Sequence, residues 1–271
     1  MKKYISLLLL TLCVWLVPLY AAAAALKLRA DFPPVLVYHD VREEPLNYAD
    51  VSVDDFRAQL DYLSEEGYQT LSMEEFVDVV KNGRRFPAKT VLITFDGAYR
   101  GIFDYAMPEL IERGMYATFF IPTNCVDKME GDYPHITLGE LSIMANNPLF
   151  SFGSQTMSDS RLDLLPEMIQ TREDNQSREL LAAWTGREID ALAFPYGAYN
   201  KGVITNVQAA GYTVSFAIQE RGDFHELPQY SIPRIYMGFE LGAEHIETFG
   251  DYLNRYKRMP SELFVERWEF L

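Results

Sequence analysis

Cysteine is scarce in this 271-residue chain, which contains only Cys13 and Cys125. Cys13 lies in an apolar N-terminal segment that we expect to be removed, and its removal would leave no second thiol for an intramolecular disulfide. The roughly 245 residues that remain can bury a large core without such cross-links, because the buried fraction of the surface rises with chain length. Cys125 has no neighbouring base and no Cys-x-x-Cys spacing, so we interpret it as a buried structural thiol.

Basic residues are also few: 24 Lys and Arg stand against 39 Asp and Glu, which gives a net charge of −15. Nucleic acids and anionic membrane surfaces both select proteins with a basic footprint. The composition therefore argues against nucleic acid as a partner, and against a membrane except through the N-terminal segment. The sequence also lacks a Gly-x-Ser-x-Gly elbow, a phosphate-binding loop and a Cys-His pair, which are the signals of other catalytic classes.

The N-terminus has the pattern of a targeting segment. Lys2 and Lys3 precede an apolar run over residues 5–19, and alanines occupy residues 21–25. This order is typical of a secretory signal peptide, so we predict a signal peptide over residues 1–25 and one folded domain over residues 30–271. An uncleaved anchor is the alternative, because the segment is just long enough to span a bilayer. In both cases we expect an exported protein that is periplasmic, bound to the cell envelope or extracellular.

Short apolar runs alternate with amphipathic segments along the rest of the chain. Apolar runs predict buried strands, and apolar residues at helical spacing predict helices. The predicted strands cover residues 35–41, 68–71, 89–95, 117–122, 150–154, 191–196, 213–218 and 232–236. The predicted helices cover residues 52–66, 104–113, 138–145, 166–184 and 200–210, and another starts at a capping box over residues 72–75. This alternation, without a linker, predicts an α/β fold whose parallel sheet closes or nearly closes into a barrel.

Barrels of this kind hold their chemistry at the C-terminal ends of the strands. In this chain the predicted strand ends carry His39, Asp40, Asp96, Pro122, Thr123, Gln155 and Tyr196. Asp96 follows the apolar run over residues 91–93 and is a candidate catalytic base. The alternative is a carboxylate that only accepts hydrogen bonds from nearby backbone amides.

Several segments, in order, resemble the polysaccharide deacetylase family, the NodB-like carbohydrate esterases. They are YHDV, VDDF, ITFDGAYRG, GMYATFFIP, GSQTMSDSRL, AFPYGAYN, AGYTVSF and IPRI. The resemblance covers almost the whole chain after residue 30. It implies a distorted (β/α)7 barrel and a polysaccharide or peptidoglycan-type glycan as the partner.

The resemblance also implies a metal site. Members of the family bind a divalent metal, usually zinc, through one aspartate and two histidines, and the metal activates a water molecule. The matching positions here are Gly97, Gln155 and Asp159, so all three ligands have been replaced. We therefore expect no metal cofactor, unless an atypical set forms from Asp96, Asp159, His39 or Gln155. Restoring aspartate and the two histidines at the three positions is expected to regain zinc if the barrel geometry is intact.

Other positions are assigned by the same resemblance. Tyr196 would donate its backbone N–H to an oxyanion. The arginine that many members place before this motif is Ala193 here, which implies that Asp96 has lost that partner. The aromatic and imidazole side chains predicted to line the cleft are Tyr38, His39, Tyr99 and Tyr199. The remaining histidines, predicted to be solvated or structural, are His135, His225 and His245.

Three functions remain open at this point. The first is an exported pseudoenzyme that keeps the barrel cleft as a carbohydrate-binding or scaffolding surface for an N-acetylhexosamine-containing envelope polysaccharide. The second is an active hydrolase that removes N-acetyl groups from such a polysaccharide with an atypical metal site. The third is a structural partner protein without glycan affinity.

Overall fold

The computed structural model describes residues 32–218, 228–238, 249–251 and 253. The predicted signal peptide, His225 and His245 lie outside these residues, as does most of the chain after Gly250. Within the described part, no helix combines the length and the apolar character needed to cross a bilayer.

The element order agrees closely with the sequence pattern. The strands are β1 (Val35–Tyr38), β2 (Val41–Arg42), β3 (Val51–Ser52), β4 (Gln69–Thr70), β5 (Thr90–Asp96), β6 (Ala117–Ile121), β7 (Met129–Glu130), β8 (Tyr133–Pro134), β9 (Phe150–Ser154), β10 (Ala191–Ala193), β11 (Val214–Ala217), β12 (Ile232–Pro233) and β13 (Ile235–Tyr236). The α-helices are α1 (Val53–Glu65), α2 (Met73–Lys81), α3 (Met107–Glu112), α4 (Leu138–Ala145), α5 (Glu167–Thr185) and α6 (Lys201–Ala209). A π-helical turn, Ile102–Ala106, leads into α3.

Nine strands form one parallel sheet in the order β12, β11, β10, β9, β6, β5, β1, β13, with β4 added beside β5. The two outer strands of this order are consecutive in the chain. Ile232–Pro233 pairs with β11, and Ile235–Tyr236 pairs with β1. One short segment therefore brings both edges of the sheet together. The predicted parallel barrel is confirmed as a nearly closed (β/α) barrel.

The apolar side chains of the strands separate into two cores. In β5, Leu92 packs with Phe120, Phe216 and Ile232 in one cluster. Its neighbours along the strand belong to a larger cluster beneath the outer helices. Successive strand residues point to opposite faces, so the smaller cluster fills the barrel interior. Helix α2 contributes Phe76 to that smaller cluster.

Side-chain caps explain where several helices begin. Ser72 accepts a hydrogen bond from the Glu75 backbone N–H while the Glu75 carboxylate accepts one from the Ser72 N–H, which confirms the predicted capping box. Thr137 and Glu140 form the same reciprocal pair at the start of α4. Each box satisfies backbone donors that have no partner inside the helix.

Candidate active-site cleft

The barrel interior places Asp96 opposite an arginine. Leu92, Thr94 and Asp96 alternate along β5, so they share the inward face, as do Ile232 and Arg234 on the closing segment. Arg234 Nη1 lies 2.7 Å from Asp96 Oδ1, and Nη2 lies 2.6 Å from Oδ2. Both side chains are buried, with exposed fractions of 2% for Arg234 and 1% for Asp96. This bidentate ion pair fixes the orientation of the carboxylate.

The ion pair corrects the inference that Asp96 lacks an arginine. The position expected to supply it is indeed Ala193, but Arg234 supplies a guanidinium from a different strand. Arg234 also donates to Thr94 Oγ1 at 3.3 Å and to the Ala217 carbonyl at 3.4 Å. One feature of the sequence could have indicated a buried ion pair: Arg234 is a single basic residue inside an apolar strand, two positions after Ile232.

Gly97 is surrounded by side chains that leave no room for a carboxylate. Its backbone φ is +93°, a conformation that favours glycine. A Cβ atom at this position would lie 2.4 Å from Cε2 of Tyr99. The Gly97 N–H donates to Gln155 Oε1 at 2.8 Å, and the Gly97 carbonyl accepts from His135 Nδ1 at 2.8 Å. Tyr99, Gln155 and His135 therefore enclose the position that matches the family's metal-binding aspartate.

His135 was missed as a cleft residue. It is buried, and its ring stacks on that of Tyr99 with centroids 5.0 Å apart. Residues Tyr99 and His135 also form an isolated antiparallel bridge. No local pattern pointed to this contact, because it depends on how the chain folds back after β7 and β8.

The segment over residues 155–159 is a turn and not a helix. Thr156 has φ +65° and Asp159 has φ +54°. Both Met157 N–H and Ser158 N–H donate to Glu173 Oε2 at 2.9 Å. Because the turn is held in this way, Gln155 and Asp159 do not project from one helical face.

Asp159 has an unusual environment. Burial raises its pKa to about 7, and the negative charges of Asp96 and Glu130 add to the effect. Its Oδ1 atom is buried without a hydrogen-bond partner among the described residues. At neutral pH the Asp159 carboxyl group is therefore partly protonated and partly ionised.

His39 follows β1, as predicted, and lies beside the same cleft. Its ring centroid is 5.2 Å from that of Tyr236. Burial lowers the pKa of His39, an effect that the charge of Asp96 partly opposes. The imidazole is thus neutral at neutral pH. Within the described part of the chain its Nδ1 atom is buried and has no partner.

The predicted aromatic lining is partly wrong. Tyr38 is fully buried in the outer core, where it packs on Phe56 and Phe95 and donates to Gln59 Oε1 at 2.8 Å. Its position in the strand directs it to the helix-facing side. Tyr199 is also buried and stacks on Phe194.

Tyr99 and Tyr196 are more exposed than Tyr38 and Tyr199. Tyr99 is half-buried against Gly97. Tyr196 lies in the turn Pro195–Gly197 with φ +57° and an exposed fraction of 65%. The negative charge of Asp159 is the largest influence on the Tyr196 hydroxyl and raises its pKa, which places the two groups in one electrostatic neighbourhood. The backbone role of Tyr196 stays a prediction.

The residues at the three ligand positions do not fit zinc. A zinc hydrolase site needs three protein ligands and one open position. Gly97 has no side chain, Gln155 Oε1 is engaged by a backbone N–H, and Asp159 alone offers a carboxylate. Across the residues that the structure describes, no group of three or more His, Cys, Asp or Glu side chains could hold a metal ion.

Comparison with known proteins agrees with this architecture. A sequence profile of the family described as polysaccharide deacetylase matches residues 83–215. YxkH of Bacillus subtilis, a putative polysaccharide deacetylase by name, is 26% identical over 224 residues, which are 83% of this chain and 77% of that protein. A poly-β-1,6-N-acetyl-D-glucosamine N-deacetylase of Staphylococcus epidermidis is 27% identical over 235 residues, 78% of this chain and 80% of the relative.

The fold is also found in solved structures. The deacetylase PplD of Streptococcus pyogenes, in complex with acetate, superposes with a TM-score of 0.70 at 24% identity, over 80% of this chain and 96% of that one. The profile match shows a polysaccharide deacetylase domain over residues 83–215 of this chain, and the curated relatives and the shared barrel agree with a NodB-like member of that family.

Proposed function

We propose that this protein is an exported, non-catalytic member of its family that binds an N-acetylhexosamine-containing envelope polysaccharide at the mouth of the barrel. The observation that carries the proposal is the position of Tyr99. Its ring fills the space beside Gly97 in which the family's aspartate ligand would need a side chain. A site repacked in this way is suited to holding a ligand and poorly suited to holding a catalytic metal.

The polar groups that remain favour binding over turnover. Both oxygens of Asp96 are engaged by Arg234, at 2.6 and 2.7 Å. A general base needs a water molecule or a hydroxyl group to act upon, and in this family the metal activates that water. Without a fitting ligand set, Asp96 and Arg234 act as a fixed pair of charges at the base of the cleft.

The glycan class is supported by the relatives. Those from Staphylococcus epidermidis and Staphylococcus aureus are named as poly-β-1,6-N-acetyl-D-glucosamine N-deacetylases, and they align with 78% and 76% of this chain. The aromatic rings of Tyr99 and Tyr196 offer faces against which the C–H-rich side of a sugar can pack. The N-terminal targeting pattern supports an envelope location for both protein and glycan.

Calorimetric titration with N-acetylglucosamine oligomers tests this proposal. We expect binding by the wild-type protein, no acetate release, and no stoichiometric zinc in the purified protein. Tyr196→Ala should weaken binding several-fold, because it removes an exposed ring at the cleft. Tyr116→Ala is the matched control, since Tyr116 precedes β6 at the opposite end of the barrel and should leave binding unchanged.

A metal-dependent hydrolase is the second candidate, favoured by two buried polar atoms without partners among the described residues, His39 Nδ1 and Asp159 Oδ1. Stoichiometric metal together with acetate release that is abolished in Asp96→Asn would establish this alternative and refute the pseudoenzyme. Absence of both metal and glycan binding would instead favour a structural partner protein.

A further inference from the structure

A second concavity borders the turn Thr123–Cys125, which follows β6. Its volume is about 550 Å³, within the range of about 300–1,000 Å³ that is usual for small-molecule sites. The walls come from this turn and the residues after it, from the start of α4, and from the C-terminal part of α5, where Trp184 lies. We call this concavity the Trp184 pocket.

The polar groups of the Trp184 pocket have few partners of their own. The Asn124 amide, the Lys128 ammonium group and the Trp184 indole N–H form no hydrogen bond or ion pair with any residue that the structure describes. The Thr123 Oγ1 atom is buried and equally without a partner there. Asp127 uses one carboxylate oxygen to accept from the Leu138 N–H at 3.2 Å and leaves the other available.

This combination of groups selects a class of ligand. The positive charge of Lys128 stands beside the negative charge of Asp127, so the pocket does not favour an anion or a cation. The indole of Trp184, packed against the core on one side, offers an apolar face together with one N–H donor. An aromatic face surrounded by amide, hydroxyl and charged groups suits a neutral ligand rich in hydroxyl and amide groups.

The Trp184 pocket and the cleft share a wall. Thr123 and Asn124 line the pocket, whereas Cys125, in the same turn, lies within the electrostatic reach of the cleft residues Asp159 and Glu130. The turn is tied to the cleft segment by hydrogen bonds from Thr123 N–H to the Thr156 carbonyl at 3.2 Å and from Asn124 N–H to the Met157 carbonyl at 2.8 Å. The turn Thr123–Cys125 therefore connects the Trp184 pocket directly to the segment that borders the cleft.

We infer that the Trp184 pocket is a subsite for a distal sugar residue of the glycan that occupies the cleft. The inference rests on the proposed function, because it takes the cleft ligand to be an N-acetylhexosamine polymer. The pocket walls are held by backbone hydrogen bonds before any ligand arrives, so binding there requires little ordering of the protein. The subsite makes affinity depend on the length of the glycan.

Titration with N-acetylglucosamine oligomers of two lengths, a disaccharide and a hexasaccharide, tests the subsite. Trp184→Ala should weaken hexasaccharide binding about tenfold, the value of one well-packed aromatic contact, and should leave disaccharide binding unchanged. Trp184→Phe should lie between the two, because it keeps a ring and loses the N–H. Met168→Ala is the control, since Met168 lies on the same helix α5 and its side chain is 80% exposed.

The outcomes separate the two proposals. Equal hexasaccharide affinity in Trp184→Ala and in the wild-type protein would overturn the subsite while leaving glycan binding in the cleft intact. Binding of neither oligomer by the wild-type protein would overturn both. A change of oligomeric state in Trp184→Ala, seen by light scattering, would overturn the subsite by assigning the pocket to a second copy of the chain. Asn124→Ala is the fallback if Trp184→Ala unfolds, because Asn124 is exposed and its replacement should not affect folding. It should reduce hexasaccharide affinity about threefold. No reduction would overturn the subsite.

Discussion

Asp96 and Gly97 are consecutive residues at the C-terminal end of β5, yet their surroundings differ. Asp96 is held in an ion pair, whereas Gly97 is enclosed by neutral side chains. We call Asp96 and Arg234 the base side of the cleft, and Gly97, Gln155 and Asp159 the ligand side. The base side keeps a buried bidentate ion pair. The ligand side is closed by the Tyr99 ring, by the Gln155 amide and by His135.

The difference shows that the space beside Gly97, where the resemblance places a metal ligand, is not empty. Gly97 and Gln155 now contact each other, and the surrounding contacts involve Tyr99 and His135, which are not ligand positions at all. The base side persists because an unpaired buried charge is costly, so neither partner can be lost alone.

The largest expected effect tests the base side. Arg234→Met leaves the Asp96 carboxylate buried without its partner, so we expect a loss of about 3–5 kcal/mol in the free energy of unfolding, measured by urea denaturation. The double variant Asp96→Asn, Arg234→Met should recover much of that loss, because it removes both charges. A cost below about 1 kcal/mol for the single variant would show that the pair does not hold this side together.

The second prediction tests the packing of the ligand side. Gly97→Asp combines a strained φ of +93° with a clash against Tyr99, so we expect a loss of about 2–4 kcal/mol in the free energy of unfolding. Gly114→Asp is the control: its φ is +62°, and no atom lies within 4 Å of where its Cβ would stand, so it isolates the backbone strain. Adding Tyr99→Ala to Gly97→Asp should recover the part that is due to the clash.

The same geometry revises the expectation that three restored ligands regain zinc. Gly97→Asp, Gln155→His and Asp159→His together should bind no zinc by calorimetry, because Tyr99 still fills the site and residues 155–159 form a turn. Stoichiometric zinc binding by the folded triple variant would show that the Tyr99 ring moves aside and that the two sides of the cleft are less different than the structure indicates.

The smallest effect concerns Asp159. Its pKa is raised to about 7 in the folded protein, so between about pH 4 and pH 7 the folded state binds more protons than the unfolded state. The stabilising contribution of the protonated carboxyl is therefore present at low pH and is lost as the pH rises through 7. Asp159→Asn should be more stable than the wild-type protein at about pH 8 by about 1–2 kcal/mol, after allowance for partial exposure, and nearly equal to it at about pH 4.

Urea denaturation at the two pH values measures this difference. Asp54→Asn is the control, because its side chain is 90% exposed, and it should show no such pH-dependent gain. A constant difference between Asp159→Asn and wild type across this range would contradict the proton exchange inferred in the cleft.

Much of the fold could be predicted from local patterns. The strand over residues 150–154 and the helix over residues 138–145 coincide with β9 and α4. The helix over residues 104–113 was predicted as continuous, whereas the structure begins it with a π-helical turn. Tyr38 was assigned to the cleft because it lies near a strand end. A shift of one position along a strand moves a side chain to the opposite face, and the sequence alone did not resolve which face it takes.

By itself, the sequence determined the parallel barrel, the order of its elements and the residue types, Gly97, Gln155 and Asp159, at the positions that the resemblance assigns to metal ligands. These properties follow from local hydrophobic periodicity, from capping residues and from the residue types at matched positions. Only the tertiary structure decided that Arg234 pairs with Asp96 from 138 positions away and that Tyr99 occupies the space beside Gly97. The physical reason is that these contacts depend on side-chain direction and on the closure of the sheet, which no local pattern encodes.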